Sequence, residues 1–116
     1  MNNEMKEKLM KTGIDVDDAV ERLGIRSADY DSFLDAFFED DDYKNLGKYI
    51  KQENWDEALS AAEILTGMAA NLSMDKVLRK LNLLEETMKN HDPEDSKERY
   101  LEFMEQCYNV AYIIHK

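Results

Sequence analysis

Apolar residues return at spacings of three and four along most of this chain, which is the spacing of one face of an α-helix. Beyond the N-terminal region the pattern defines four segments, each of about 16 to 24 residues. Only four glycines and one proline occur in 116 residues, too few for the many turns of an all-β fold. The prediction is an all-α protein: an antiparallel four-helix bundle with short additional N-terminal helices.

The N-terminal part of the chain divides into an arm and the start of the bundle. Residues 1–12 form a charged N-terminal arm, and residues 13–116 form the predicted bundle. Asp15 is a predicted N-cap of a short helix that Gly24 ends. Ser27 is the predicted N-cap of the longer helix that follows.

The later helix boundaries also carry local signals. Asn54, with Glu57 three residues on, forms a capping-box pattern at the start of a helix that runs from Trp55 to about Leu72. The next helix opens at Met74-Asp75. Pro93 suits the first turn of the last helix, because proline lacks only an N–H that the first turn does not use.

Four consecutive acids, Glu39-Asp40-Asp41-Asp42, interrupt the helical pattern that follows Ser27. They could form a metal loop or a solvated kink between two helical pieces. The run lacks the alternating oxygen ligands, turn glycine and closing glutamate of a calcium loop. The kink is therefore the preferred interpretation.

The charge of the chain argues against several classes of partner. The formal net charge is −11, from 26 acidic and 15 basic side chains. Nucleic acid and an anionic membrane surface would be repelled by most of the surface. No apolar run approaches the length of a membrane span, and the first residues lack the apolar core of a signal peptide. With a single cysteine, Cys107, the composition fits a cytoplasmic protein.

The helix predicted from Trp55 has two different faces. Its core face gathers Trp55, Ala58, Ala62, Leu65, Ala69 and Leu72. Opposite and flanking it lie Ser60, Glu63, Ile64, Gly67, Ala70 and Asn71. The small residues around Glu63 would let another protein approach closely, with Ile64 and Met68 at the edge. The alternative is a helix whose small residues face inward against a neighbouring helix.

Residues 61–72 read A-A-E-I-L-T-G-M-A-A-N-L. This segment resembles the signature of histidine phosphotransfer (HPt) domains of bacterial phosphorelays, A-H-T-L-K-G-x-A-x-N-L-G. Residues 55–59 and 13–16 are also similar to the family, and the resemblance extends over roughly residues 13–116. It implies an antiparallel four-helix bundle whose histidine exchanges a phosphoryl group with the aspartate of a receiver domain.

Two positions depart from the family pattern. Glu63 stands where the family has its phosphoacceptor histidine, and Thr66 stands where it has a lysine that helps to neutralise phosphate. A carboxylate is a weaker nucleophile than imidazole and adds negative charge to an anionic transfer. We therefore expect a protein that is not an enzyme and has no catalytic residue, metal or cofactor.

The resemblance implies binding of the receiver domain of a response regulator or hybrid histidine kinase, by a chain that is itself a monomer. The partner-binding residues would be Ser60, Glu63, Ile64, Thr66, Gly67, Met68, Ala70 and Asn71. Two alternatives stay open. One is a phosphotransferase that uses a non-standard residue. The other is a structural or oligomerisation module in which Ile64 and Met68 form a homodimer seam.

Three further side chains could in principle carry chemistry. His91 lies in a predicted turn and His115 near the end of the sequence, and neither has small neighbours like those of Glu63. Both are expected to be ordinary exposed histidines. Cys107 lies among apolar residues of the last helix, where a buried structural thiol is expected.

Overall fold

The computed structural model describes residues 1–115, and helices account for most of them. In chain order they are α1 (Asn3–Lys11), α2 (Val16–Leu23), a short 3₁₀ helix (Ser27–Asp29), α3 (Tyr30–Glu39), α4 (Asp41–Lys51), α5 (Trp55–Asn71), α6 (Asp75–Lys89) and α7 (Pro93–His115). The described residues contain no β-strand. The all-α class and the short N-terminal helices are thereby confirmed.

Several helix ends follow their predicted signals. The Asp15 side chain accepts a hydrogen bond of 3.1 Å from the backbone N–H of Asp18, which caps α2. Gly24 ends α2 with φ of 66°, a left-handed conformation that glycine adopts without steric penalty. Pro93 begins α7 as predicted.

The Asn54 cap of α5 is confirmed, but only half of the predicted capping box forms. The Asn54 Oδ1 atom lies 3.5 Å from the Glu57 backbone nitrogen. The backbone N–H of Asn54 donates instead to the Tyr49 carbonyl at 2.8 Å. The Glu57 side chain therefore has no free N–H to accept from at this position.

The prediction that Ser27 is a helix N-cap is wrong. Ser27 begins the 3₁₀ helix, and its side chain makes no capping hydrogen bond. The N–H of Asp29 donates to the Arg26 carbonyl, and that of Tyr30 donates to the Ser27 carbonyl. Backbone carbonyls thus satisfy the N–H groups that a capping hydroxyl would otherwise accept from.

The acidic run contains the predicted kink. Asp40 is extended, with φ of −64° and ψ of 139°, and it separates α3 from α4. Its side chain accepts a hydrogen bond of 2.8 Å from the backbone N–H of Asp42. The Asp40 carboxylate therefore serves as the N-cap of α4.

The last four helices pack in chain order, α4 on α5, α5 on α6 and α6 on α7, and α4 also contacts α7. The N-terminal helix α1 lies against α7, where the Gln106 side-chain amide donates to the Thr12 carbonyl at 2.7 Å and Leu9 is fully buried. Every helix within residues 1–115 is too short or too polar to traverse a bilayer.

A buried tyrosine joins α3 to the end of α5. Tyr30 is fully buried, and its hydroxyl donates to the carbonyl of Leu72, the residue after α5. Burial raises the pKa of Tyr30, so the hydroxyl stays protonated and remains a donor. This contact fixes the C-terminal end of α5 relative to α3.

We expect Tyr30→Phe to lower the free energy of unfolding by about 1–3 kcal/mol, because the Leu72 carbonyl loses its buried partner. Urea denaturation followed by circular dichroism measures the change. Tyr108→Phe is the matched control, since Tyr108 is exposed and should change stability by less than about 0.5 kcal/mol. Equal effects of the two substitutions would show that the buried hydrogen bond does not stabilise the fold.

Candidate functional site

Helix α5 is buried along a side made mostly of alanine. Its buried residues are Ala58, Ala61, Ala62, Leu65 and Ala69. The predicted core face omits Ala61, which is buried because α5 packs against both α4 and α6 and so has a broad buried arc. Trp55, predicted to lie on the core face, is half-buried. Short side chains let helices approach closely, so α5 fits tightly between its neighbours.

The opposite side of α5 faces solvent. Ser60, Glu63, Gly67 and Asn71 are exposed, and Ile64 is 48% exposed. A Cβ atom added at Gly67 would have no neighbouring atom within 4 Å, apart from its own helix. The alternative in which the small residues around Glu63 face inward is therefore wrong for Ser60 and Gly67. Met68 and Ala70 are half-buried at the margins of this surface.

Glu63 is one of the exposed residues of this surface. Within residues 1–115, no side chain or backbone group hydrogen-bonds or ion-pairs with its carboxylate. It borders a shallow depression of about 390 Å³, also lined by Asp56, Leu59, Ser60 and Ile64. The same part of the chain contains no cluster of three or more His, Cys, Asp or Glu residues suited to a metal ion. Glu63 is thus a free carboxylate available to a partner.

Thr66 is turned away from Glu63 and towards α6. Its hydroxyl lies 2.7 Å from Glu85 Oε2 and 2.9 Å from the Ala62 carbonyl. Glu85 is only 8% exposed, so this is a largely buried contact between α5 and α6. Thr66 was predicted to bind a partner, but the structure engages its hydroxyl inside the protein. The other predicted residues flank or form the exposed surface.

Glu85 is a residue that the sequence analysis does not single out. A signal for it exists, because Val77, Leu81, Leu84, Glu85 and Met88 follow the spacing of a buried helical face on α6. A carboxyl group on such a face needs a hydrogen-bonding partner. Thr66 supplies one.

The C-terminal end of the exposed surface is fixed by α2. Arg22 donates to the Ala70 carbonyl at 2.7 Å and pairs with Asp18, whose carboxylate also accepts from the Ser73 hydroxyl at 2.7 Å. A cation at the C-terminal end of a helix satisfies free carbonyls and interacts favourably with the helix dipole. The last turn of α5 is therefore held in place.

The other candidate nucleophiles lie elsewhere. His91 is exposed in the turn before α7, and His115 is exposed beside Asp35, 2.5 Å away. Cys107 is fully buried, and burial raises the pKa of its thiol, so the prediction of a buried structural thiol is confirmed. None of the three belongs to the exposed side of α5.

We expect Thr66→Val to lower the free energy of unfolding by about 1–3 kcal/mol, because it removes a hydroxyl donor from the buried Glu85 carboxyl group at nearly constant volume. Chemical denaturation measures the loss. Ser60→Ala removes an exposed hydroxyl from the same helix and should leave stability within about 0.5 kcal/mol. A Thr66→Val protein as stable as the parent would rule out a stabilising hydrogen bond.

No family model matches the chain, and no curated protein or solved structure matches it either.

Proposed function

We propose that the chain is an HPt-like protein of a phosphorelay that binds a receiver domain without carrying a phosphoryl group. The observation that carries the proposal is the exposed surface of α5. Glu63 stands in place of the family's histidine at an exposed position, and Gly67, one turn later, leaves open space beside it. A partner can therefore approach the backbone of α5 closely at the position where the family docks.

The helix contacts support the corresponding architecture. Helices α4 to α7 each pack on the next, and the contact between α4 and α7 closes the ring. Connections of a few residues between α4, α5, α6 and α7 favour antiparallel neighbours. We infer an antiparallel four-helix bundle, with α3 leading into α4 across the Asp40 kink.

The surroundings of Glu63 support a chain that is not an enzyme. Phosphoryl transfer requires positive groups that neutralise the charge of the transition state. Within residues 1–115 no Lys, Arg or His pairs with Glu63, and Thr66 replaces the family's lysine. The Thr66 hydroxyl is also committed to α6. A phosphoryl group at this position would meet repulsion and no compensating cation.

An unpaired carboxylate can still contribute to binding. Receiver domains hold Mg²⁺ in an acidic pocket, and carboxylate oxygen is a preferred ligand of that ion. Glu63 could reach the metal from the exposed side of α5. In the absence of Mg²⁺ the same carboxylate would be repelled by the acidic pocket.

We expect a receiver domain from the same cell to bind more tightly in the presence of Mg²⁺, by about tenfold, because one carboxylate changes from repelled to attracted. Isothermal titration with and without Mg²⁺ measures the difference. Glu63→Gln should reduce the dependence on Mg²⁺ while leaving weaker binding in place. Equal affinities for the parent protein would remove the metal bridge from the proposal.

Gly67→Arg tests the docking position directly. The large side chain would occupy the open space beside Glu63, so we expect at least about a hundredfold loss of receiver binding. Asn109→Arg places the same charge on an exposed position of α7 and should bind normally. If Gly67→Arg also binds normally, the exposed side of α5 is not the interface.

Gly67→Ala tests the open space beside Gly67 through the stability of the protein. The added methyl group meets no neighbour within 4 Å, and alanine is the better helix former by about 1 kcal/mol, so the protein should become more stable by about that amount. Gly47→Ala is the contrasting control, because its Cβ would overlap the Tyr100 hydroxyl and should destabilise the protein. Thermal and urea denaturation measure both changes. A Gly67→Ala protein that is less stable than the parent would contradict the open geometry.

The exposed Ile64 favours one alternative, a homodimer formed through Ile64 and Met68. Light scattering over a range of concentrations shows whether a dimer forms. If it forms and Ile64→Glu dissociates it, the exposed side of α5 binds a second copy of the chain. An active phosphotransferase is distinguished by incubation with a phosphorylated receiver. Stable transfer of phosphate to this chain would contradict the proposal.

A further inference from the structure

A second surface, separate from the exposed side of α5, lies between α4 and α7. It is a groove of about 430 Å³ lined by Gly47, Ile50, Lys51, Lys97, Tyr100 and Leu101. It shares no lining residue with the depression beside Glu63. Its ligand therefore need not be the partner that α5 binds.

The groove has an apolar floor. Gly47 lacks a side chain, and the Tyr100 hydroxyl lies too close to leave room for a Cβ atom there, so the tyrosine covers the backbone of α4 directly. Leu101 is 66% exposed, more than any other large aliphatic residue within residues 1–115. An exposed leucine beside a concave surface gives an apolar side chain a place to pack.

One side of the groove is basic, although the chain as a whole has a net charge of −11. Lys44, Lys48 and Lys51 are all exposed on α4, at spacings of four and three that place them on one face. Within residues 1–115, none of the three has a carboxylate within 4 Å. Lys97 has only Glu53, at 3.9 Å and partly exposed, which is a weak pair.

The other side is acidic. Successive residues of a helix are rotated by about 100° around its axis. Around the axis of α7, Lys97 therefore lies on one side of Leu101, and Glu98 and Glu105 lie on the other side. The charge thus changes sign across Leu101. A ligand with both apolar and anionic groups would be drawn to the lysine side.

We propose that this groove binds an acidic peptide segment of another protein, with a leucine or phenylalanine covering Tyr100 and Leu101 and carboxylates facing Lys51 and Lys97. Charges more than about 8 Å apart are largely screened at physiological salt, so a short segment lying on the lysine side of Leu101 interacts with these lysines more strongly than with the acids on the rest of the surface. A second copy of the chain or an anionic bilayer would instead meet much more of the −11 charge. A bilayer is also too flat to enter a groove.

Fluorescence anisotropy with a labelled peptide built from Asp, Glu, Leu and Phe tests this proposal on the full chain. We expect saturable binding that weakens at high salt, and no binding of a peptide in which lysines replace the acids. Lys51→Glu with Lys97→Glu should weaken binding by about tenfold or more. Lys89→Glu with Lys11→Glu is the control for net charge and should bind as the parent does.

A second pair of variants tests the apolar contact. Leu101→Glu should abolish binding, whereas Tyr108→Glu, at an equally exposed position two turns along α7, should retain it. Circular dichroism confirms that both variants fold, since neither position is buried. Failure of the acidic peptide to bind, or equal binding by the two lysine double variants, would overturn the proposal.

Two further outcomes would also overturn it. One is dimerisation that Leu101→Glu abolishes, which would assign the groove to a second copy. The other is binding to vesicles of phosphatidylserine and phosphatidylcholine that the double variant Lys51→Glu, Lys97→Glu loses.

Discussion

The alanine side of α5 is the constraint on which the rest of the structure depends. Four of its five buried residues are alanines, and Leu65 is the only long side chain among them. Small residues permit close packing of α5 against α4 and α6. The opposite side of α5 faces solvent. The exposure of Glu63 and Gly67 follows from this packing, and so does the room that a docking partner would need.

Under the proposed function, the docking shape is kept while the transfer chemistry is lost. Gly67 leaves the helix accessible, whereas Glu63 and Thr66 stand where the resemblance implies a nucleophile and a cation. Thr66 has a structural contact in exchange, because its hydroxyl meets the buried carboxyl group of Glu85. A lysine at this position would carry its charge on a longer, flexible side chain. The proposed absence of phosphoryl transfer is therefore compatible with a stable contact between α5 and α6.

Much of the fold could be predicted because its signals are local. Asp15, Gly24 and Pro93 mark helix ends through the chemistry of their own residues and nearest neighbours. The prediction of Ser27 as an N-cap was wrong because backbone carbonyls of a 3₁₀ turn accept the hydrogen bonds that a capping hydroxyl would accept.

In the candidate site, too, the features that depend on local sequence could be predicted, and the contacts between helices could not. Helical spacing placed Glu63 and Gly67 on one side of α5, although it left open whether that side faces solvent or a neighbouring helix. It could not show that Thr66 turns to Glu85, nineteen residues later and on a different helix. Nor could it show the α4–α7 groove, because Gly47 and Tyr100 meet only through the contact between α4 and α7.

The most direct test of the central claim is to map the contact by NMR. The ¹⁵N-labelled chain is titrated with an unlabelled receiver domain from the same cell in the presence of Mg²⁺. We expect the largest amide shifts on residues 60–71, centred on Glu63 and Gly67, with α7 nearly unchanged. Shifts that leave those residues unaffected, or that concentrate on another helix, would contradict it.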